Sequence, residues 1–351
     1  MTLKTRLLAT MATLGVATTL VACGSSEPVS EPATSDNVAT AGEGTTVYPL
    51  TIDNCGQTIT FEKAPERTVS LDQGSTEILL SLGLEDKLVG TASWTDPVLP
   101  NLEEANASVP RLADNAPTYE VVMDTDPDFV TASFARHYKT EGGVASRERF
   151  AETDINSFLS PTDCEGSKTI NGGGTRSIPL SEDKVYEEIA TLAEIFDVQS
   201  RGEELIAELK SRAEAATKDI NGSGQTVAYW FADTKTPYFA GGLGSAAILS
   251  DKTGLTNVFA DTADDWPAVG WETVVEKNPQ ILVLGDLLRD RFPGDRLDDK
   301  KEFLANDPLT NTMDAVKNER YIALHGAELN PSIRFVDGLE KIAAYLKESS
   351  S

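Results

Sequence analysis

The sequence predicts an α/β fold of two similar lobes with parallel-rich sheets, bridged by a single long interdomain helix. Three observations lead to this prediction. Apolar strand-like runs alternate with helical segments, two short motifs recur in the same order, and one long helical region divides the chain. Strands that alternate with helices are typical of βα units and parallel sheets.

The strand candidates are short apolar runs, each bounded by turn residues or charged residues. They are Thr68 to Leu71, Leu88 to Ala92, Asp128 to Ala132, Thr226 to Phe231, Ile281 to Leu284 and Tyr321 to Leu324. Helical segments separate most of them, so we expect the strands to lie parallel within each lobe.

Two motif pairs indicate that the lobes are repeats of one another. GSTEIL at 74–79 matches GSAAIL at 244–249, with Ala247 at the position of Glu77. YEVVMDTDPDFV at 119–130 and WETVVEKNPQIL at 271–282 share an acidic residue, a valine and a proline, and each runs from a short helix into an apolar strand. Two matches in the same order predict two similar lobes rather than one large domain.

The long helical region extends from Glu182 to Ile220, with one break near Asp197 to Gly202. Its second half is rich in Glu, Ala, Leu and Lys, which favour helix, and has no proline. A helix of about 19 residues is about 28 Å long, enough to run along a domain junction. We therefore predict an N-terminal lobe at 47–198, an interdomain helix at 199–220 and a C-terminal lobe at 221–351; the alternative is a surface helix packed on one lobe.

The N-terminus has the features of a secretory signal at residues 1–22: Lys4 and Arg6, an uncharged run, and LVAC at 20–23. LVAC resembles the lipobox of bacterial lipoproteins, which implies that Cys23 becomes the lipid anchor, carrying diacylglycerol and acyl chains such as palmitate. Two acyl chains give stable membrane attachment. Residues 23–46 lack aromatic residues and predict a flexible tether after the anchor. An ordinary secreted protein with a chance cysteine is the alternative.

Charge and cysteine content restrict the partners and the compartment. Removal of the signal takes the net charge from −26 to −28, a field that repels nucleic acid. After Cys23, only Cys55 and Cys164 remain. Outside the cytoplasm, such a pair favours a disulfide over a metal site or a nucleophile, and a pair of buried free thiols is the alternative.

The chain resembles the substrate-binding lipoproteins of ABC importers for ferric siderophores, haem and cobalamin. The resemblance covers nearly all of residues 47–346 and lies in APERTVSLDQGSTEILLSLGLEDKLVGTA, VPRLADNAPTYEVVMDTDPDFV, the long helix, PAVGWETVVEKNPQILVLG and AVKNERYIALHGAELNPS. It implies two lobes joined by a long helix, a membrane permease as partner, and one acid on each lobe that docks onto permease arginines. Glu77 and Glu272 match these acids, although a helix-stabilising role is the alternative for each. We expect a monomer.

The ligand is expected beyond the carboxyl ends of the strands, where the two lobes face each other. The loops after the strands supply aromatic candidates and possible anion contacts. The aromatic candidates are Trp94, Phe134, Tyr138, Tyr238, Phe239 and Trp266, and the cationic ones are Arg136, Arg289 and Arg291. Aromatic faces suit a bulky, partly apolar chelate, and guanidinium groups pair with carboxylates. Core packing is the alternative for each aromatic residue.

These residues predict capture of a ferric siderophore, an Fe(III) chelate, with no resident cofactor and no metal site in the protein. Asp114 and Asn115 are expected near the cleft, so a neutral or partly cationic ligand stays open. Haem is disfavoured because the chain has two histidines only, His137 and His325. Other cargoes of the same fold are a deazaflavin precursor, whose binding proteins have similar cysteine segments, and cobalamin.

A secreted enzyme is the contrasting prediction. The sequence has no GxSxG, HExxH or strand-linked GxGxxG motif, and its two histidines leave few general bases. The Gly-rich runs NGGGT and AGGLGS lack the spacing of a phosphate-binding loop. A binding protein without enzymatic activity is therefore the expected function.

Overall fold

The computed structural model describes residues 44–165, 175–289 and 291–349. The predicted signal at 1–22, the anchor Cys23 and the tether up to residue 43 lie outside the described residues. Within the described ranges, no helix is both long enough and apolar enough to cross a membrane.

The N-terminal lobe is built on a five-stranded sheet in the order β5-β4-β3-β6-β7, and every strand pair in it is parallel. A separate hairpin of β1 and β2 precedes it. The strands are β1 Leu50–Asn54, β2 Gln57–Phe61, β3 Thr68–Ser70, β4 Leu88–Ala92, β5 Arg111–Ala113, β6 Phe129–Ala132 and β7 Asn156–Leu159. The helices are α1 Gln73–Ser81, α2 Glu103–Asn106, α3 Tyr119–Met123 and α4 Arg147–Ala151.

The C-terminal lobe has a second sheet in the order β10-β8-β11-β12, all parallel, with β9 antiparallel on β8. Its strands are β8 Thr226–Ala232, β9 Tyr238–Phe239, β10 Thr256–Asn257, β11 Ile281–Asp286 and β12 Tyr321–His325. Its helices are α7 Ser245–Thr253, α8 Trp271–Lys277, α9 Leu297–Asn306, α10 Asp314–Lys317, α11 Gly326–Leu329 and α12 Phe335–Ser349. The predicted α/β class with parallel-rich sheets is confirmed.

The internal repeat has a structural counterpart. GSTEIL lies on α1 after β3, and GSAAIL lies on α7 after β8. The second motif pair forms α3 followed by β6 in one lobe and α8 followed by β11 in the other. The strand order β4-β3-β6-β7 thus repeats as β10-β8-β11-β12. The loops that follow equivalent strands therefore occupy equivalent positions in the two lobes.

Two helices, not one, connect the lobes. α5 spans Asp183–Ile195 and α6 spans Gln199–Thr217, so the predicted helix begins where expected and ends three residues early. At its start, α5 is linked to the C-terminal lobe by the ion pair of Glu182 with Lys252, and just past its end Phe196 packs on Phe129 in the N-terminal lobe. α6 returns and reaches α12.

The predicted disulfide between Cys55 and Cys164 is present. It joins the turn between β1 and β2 to the segment after β7, across 109 positions of sequence. The hairpin is therefore fixed to the edge of the sheet that β7 forms.

The end of the predicted tether is part of the folded structure. The backbone N–H of Thr46 donates to the Asp197 carboxylate at 2.8 Å, and its hydroxyl donates to the Glu194 carbonyl at 2.7 Å. The prediction that residues 44–46 belong to a flexible tether is wrong, because the junction between α5 and α6 offers acceptors that the local sequence does not reveal.

Candidate functional site

A cavity of about 240 Å³ lies between the lobes, and we call it the inner cavity. The N-terminal lobe supplies Phe134 and Arg136 from the loop after β6. The C-terminal lobe supplies residues from the end of β8, from β9, from the segment before α8, and from the segments after β11 and α11. The inner cavity is lined by Thr95, Phe134, Arg136, Phe231, Ala232, Tyr238, Trp266, Arg289, Phe292 and Asn330. Five of the nine predicted ligand contacts are therefore brought together there.

A second space of about 460 Å³, the outer recess, adjoins the inner cavity and shares Thr95 and Arg289 with it. It contains two more of the predicted contacts, Trp94 and Arg291. The Arg111 guanidinium lies over the Trp94 ring at 4.8 Å from its centroid. Cation–π stacking of this kind holds the guanidinium at the wall of the recess.

Arg136 lies on a 3₁₀ turn, Ala135–Tyr138, and its guanidinium stacks on Phe134 at 4.5 Å from the ring centroid. This guanidinium makes no hydrogen bond to the described residues, although the charges of Asp72 and Asp163 act on it. Burial lowers the pKa of Arg136, and the charges of Arg289 and Arg291 lower it further. The carboxylates of Asp72 and Asp163 offset part of this effect. The cleft therefore holds a partly buried guanidinium that has no bonded counter-ion among the described residues.

Arg289 is anchored differently. Its guanidinium makes two hydrogen bonds to the buried carboxylate of Asp295, at 3.2 and 3.3 Å, and lies over Phe231 and Phe292. The Lys300 ammonium donates to the carbonyls of Gly294 and Asp295, and burial lowers the Lys300 pKa to about 7. These contacts fix the loop after β11, so Arg289 is presented to both spaces in one orientation.

Arg291 reaches across the mouth of the cleft to the other lobe. Its guanidinium donates to the Asn115 side-chain oxygen at 3.0 Å and to the Asp114 carbonyl oxygen. Asp114 and Asn115 thus lie beside the cleft, as predicted. Both acceptors are neutral. Burial and the charge of Arg289 lower the pKa of Arg291, and the carboxylates of Asp114 and Asp295 offset part of this effect.

A group of buried acids lies behind Arg136. The Asp72 carboxylate accepts from the backbone N–H groups of Ser75 and Ser133, and Asp163 accepts from that of Ala135. Burial raises the pKa of Asp72, and it raises that of Asp163 to about 7. On α5, Glu188 accepts from the hydroxyls of Ser75 and Ser160, and burial raises its pKa to about 8.

Neither histidine lines the inner cavity or the outer recess. His137 is buried and both its ring nitrogens lack a hydrogen-bond partner, while burial lowers its pKa well below the usual value. His325 lies 3.9 Å from the Asp96 carboxylate at the edge of the cleft. In the described ranges, no group of three or more His, Cys, Asp or Glu side chains is arranged to hold a metal ion.

Buried ion pairs attach the C-terminal lobe to the N-terminal lobe and to the linker between the lobes. Arg334, just before α12, pairs with Glu77 on α1, with one hydrogen bond of 2.8 Å, and also donates to the Pro97 carbonyl. Arg176 makes two hydrogen bonds to Asp265, at 2.8 and 3.0 Å. Such pairs resist separation because each charge would be left buried without its partner.

Two predicted ligand contacts lie outside the cleft. The Tyr138 hydroxyl donates to the carbonyls of Val130 and Phe158, and its ring packs on Phe150 within the N-terminal lobe. Phe239 is fully buried against Trp230 and Trp271 in the C-terminal lobe. The prediction of ligand contact is wrong for both residues in this structure, because their side chains point into the lobe cores.

The docking prediction for Glu77 is also contradicted. Glu77 is fully buried and paired with Arg334, so no partner protein can reach it. Asp72 caps α1, which begins at Gln73, so Glu77 also lies beyond the first helical turn where the macrodipole acts. Glu272, in contrast, is exposed in the first turn of α8.

The exposed acid that corresponds to Glu272 in the N-terminal lobe is Glu120. It lies in the first turn of α3, and it is exposed. The repeat of YEVVM and WETVV aligns Glu120 with Glu272, so the signal that identifies it is present in the sequence.

Five residues that line the inner cavity were not predicted from the sequence: Thr95, Phe231, Ala232, Phe292 and Asn330. Thr95 and Phe292 lie in loops that were predicted to face the cleft, and Phe292 is 49% exposed. Phe231 packs on Trp266 with ring centroids 4.8 Å apart. It lies near the end of β8, where a strand residue can reach the cleft. Its position at the end of a predicted strand could have identified it as a cleft residue.

Comparisons with known proteins place this geometry in context. A family model described as periplasmic binding protein matches residues 68–327. An uncharacterized ABC transporter substrate-binding lipoprotein of Bacillus subtilis is 24% identical over 70% of this chain and 72% of its own length. A cobalamin-binding protein of Halobacterium salinarum is 24% identical over 84% of this chain and 73% of its own.

Solved structures show the same fold. A periplasmic binding protein from Veillonella parvula has a TM-score of 0.71 and 25% identity, covering 85% of this chain and 97% of its own. A structure described as an ABC-type Fe3+-hydroxamate transport system from Saccharomonospora viridis has a TM-score of 0.70 and 28% identity, covering 85% of this chain and 99% of its own.

Proposed function

We propose, from the premise that this chain belongs to the periplasmic binding protein family, that its cargo is an iron chelate of the siderophore type. The coarser function follows from the family: the protein is the extracytoplasmic substrate-binding component of an ABC importer, with a small-molecule ligand and a membrane permease as partners. Proteins of this family bind solutes and are not enzymes, so the prediction of a non-enzyme is confirmed.

The observation that supports the cargo is the inner cavity. Both lobes contribute to it, with Phe134 and Arg136 on one side and Tyr238, Trp266 and Arg289 on the other. Aromatic rings provide apolar contact area for the organic frame of a chelate, and guanidinium groups bind the oxygen anions that surround Fe(III). The Fe3+-hydroxamate system of Saccharomonospora viridis agrees with this assignment.

The first experiment titrates the soluble protein with ferric hydroxamates, catecholates and citrate, haem, cobalamin and a deazaflavin precursor, and records tryptophan fluorescence. We expect saturable quenching by one class of ferric chelate. Trp266→Phe should remove most of the signal, because Trp266 lines the cavity. Trp271→Phe is the matched control, since its indole N–H is bonded to the Thr234 carbonyl within the C-terminal lobe. No quenching by any iron compound would refute the siderophore assignment.

The second candidate is a cargo with a planar ring system, such as a deazaflavin precursor. The aromatic side chains of the inner cavity favour it, because Phe134, Phe231, Tyr238 and Trp266 can sandwich a flat ring. A cobalamin cargo is suggested by the names of the relatives in Halobacterium salinarum and Vibrio cholerae. The same titration distinguishes these cargoes.

For docking onto the permease, we propose Glu120 and Glu272 as the pair of acids. Both are exposed in the first turn of equivalent helices, α3 and α8. A carboxylate on each lobe would fix the register and orientation of the protein on permease arginines. In proteoliposomes, the double variant Glu120→Gln with Glu272→Gln should lower stimulation of the permease ATPase by about tenfold or more. Glu204→Gln, an exposed acid of α6, is the control and should have no effect.

We further propose that Cys23 is lipidated and holds the protein at the outer face of the membrane. The support is the LVAC sequence and the lipoprotein relative of Bacillus subtilis.

A further inference from the structure

The cleft brings together Arg136, Arg289 and Arg291, beside the carboxylates of Asp96 and Asp114 in the outer recess. Arg136, Arg289 and Arg291 are close enough that Arg289 and Arg291 both lower the pKa of Arg136, and Arg289 lowers that of Arg291. Among the described residues, the guanidinium of Arg289 is bonded to a carboxylate, that of Asp295, and those of Arg136 and Arg291 are not. Bringing like charges together in a partly desolvated site costs free energy unless an anion binds there.

The acids near Arg136 do not bind it. Both oxygens of Asp72 accept from backbone N–H groups, and one oxygen of Asp163 accepts from the Ala135 N–H. The other Asp163 oxygen is 3.6 Å from Arg176, on the linker between the lobes. The N–H groups of Arg136 at the cavity wall are therefore left for a ligand.

Arg291 is in a similar state at the other end of the cleft. Its partners, the Asn115 side-chain oxygen and the Asp114 carbonyl, are neutral. The Asp114 carboxylate is 3.6 Å from Arg111, and its side chain is 88% exposed. An anion in the outer recess can replace these neutral acceptors with a charge-assisted hydrogen bond, which is about twice as strong.

We propose that the cargo carries at least two separated anionic groups on an aromatic or otherwise flat body, one bound by Arg136 in the inner cavity and one by Arg291 in the outer recess. This inference rests on the proposed function as a solute-binding protein and narrows its cargo to polyanions. The aromatic walls take the body, and Arg289, which lines both spaces, spans the distance between the two anionic groups. Neutral or cationic chelates lack the groups that these arginines require.

The test compares ligands that differ in charge. The first pair is a trianionic ferric tris-catecholate and an uncharged ferric tris-hydroxamate, both hexadentate. The second pair is FMN and riboflavin, which share a ring and differ by one phosphate. We expect the more anionic member of each pair to bind about tenfold tighter or better, measured by tryptophan quenching. The preference should shrink as salt is added, because part of the cleft is open to solvent.

Four variants assign the preference to residues. Arg136→Gln and Arg291→Gln should each remove most of the preference, because they lower the affinity for the more anionic member of each pair more than the affinity for the uncharged member. Arg136→Lys keeps the positive charge and should retain part of the preference for the more anionic ligand. Arg149→Gln removes the same charge from an exposed pair with Glu152 outside the cleft and should change nothing. Arg136 makes no hydrogen bond to the described residues, so its variants should fold, which a melting curve checks.

Equal affinity for both members of each pair, or a preference that survives in Arg136→Gln and Arg291→Gln, would overturn the inference and leave the importer function intact. Binding of the flavin pair alone would refute the iron cargo, and the charge inference would then be judged by FMN against riboflavin. If neither the iron chelates nor the flavins bind, both the iron cargo and the charge inference are refuted.

Discussion

The buried pair of Glu77 and Arg334 is a residue-scale feature that determines how the two lobes are held. Glu77 is fully buried and the Arg334 side chain is 5% exposed. Replacing Glu77 with Leu would leave the Arg334 guanidinium buried without a counter-ion. We expect the free energy of unfolding to fall by about 3–5 kcal/mol, measured by urea denaturation.

The control is Lys184→Met, which breaks an exposed pair with Glu187 and should cost no more than about 1 kcal/mol. The double variant Glu77→Leu with Arg334→Met should recover part of the loss, because no charge is then stranded. A Glu77→Leu protein as stable as the wild type would contradict the role of this pair.

Glu188 predicts a pH dependence of stability. Its pKa is raised to about 8 in the folded protein by burial, from an ordinary value of 4.5. The folded state therefore binds the proton more tightly than the unfolded state. The stabilisation is complete below pH 4.5, is lost at about 1.4 kcal/mol per pH unit as the pH rises, and is exhausted above pH 8.

Glu188→Gln mimics the protonated acid and should remove this contribution to the pH dependence. We expect the melting temperature of the variant to match the wild type near pH 4.5 and to exceed it increasingly towards pH 8. A difference between the two proteins that does not change over this range would show that Glu188 does not titrate there.

Sequence located the cleft loops better than it located single side chains. Tyr238 and Phe239 are neighbours in one strand, and successive side chains of a strand point to opposite faces, so only Tyr238 can line the cavity. Tyr138 is the last residue of a 3₁₀ turn, and its side chain points into the core of the N-terminal lobe. No local sequence pattern predicts the direction of that turn. The role of Glu77 depends on Arg334, which no local pattern connects to it.

At the scale of elements, the six predicted strands formed because each is a continuous apolar run, and both faces of a parallel sheet are covered. The short strands β5, β9 and β10 have two or three residues each, too few to show a period. The helical bridge was predicted from composition, but its pairing of α5 with α6 depends on tertiary packing.

The disulfide is the element-scale feature with the clearest energetic prediction. It closes a loop of 109 positions, and a loop of this size gives about 4.7 kcal/mol in the chain-entropy model. The double variant Cys55→Ser with Cys164→Ser should lower the free energy of unfolding by roughly 2–5 kcal/mol, measured in guanidinium chloride.

Dithiothreitol provides an independent check, since it should lower the melting temperature of the wild type but not that of the double variant. If both proteins respond equally, or neither does, the bond does not stabilise the fold.

At the scale of the whole molecule, the proposed anchor decides where the protein is found. Cys23→Ser removes the thiol that would carry the proposed lipid, so we expect the variant to move from the membrane fraction to the soluble fraction. Fractionation followed by immunoblotting measures this. An unchanged distribution would refute lipidation at Cys23, and the cleft and its ligand would be unaffected.

The long separation between Glu77 and Arg334 also has a consequence for biogenesis. The two residues are 257 positions apart, and Arg334 immediately precedes α12, the final helix described. A chain that crosses the membrane N-terminus first exposes the first lobe while its counter-ion is still on the other side. Until then Glu77 has only the Gln73 side chain and the Leu99 N–H of its own lobe as described partners, so the ion pair between the lobes forms after the last part of the chain has crossed.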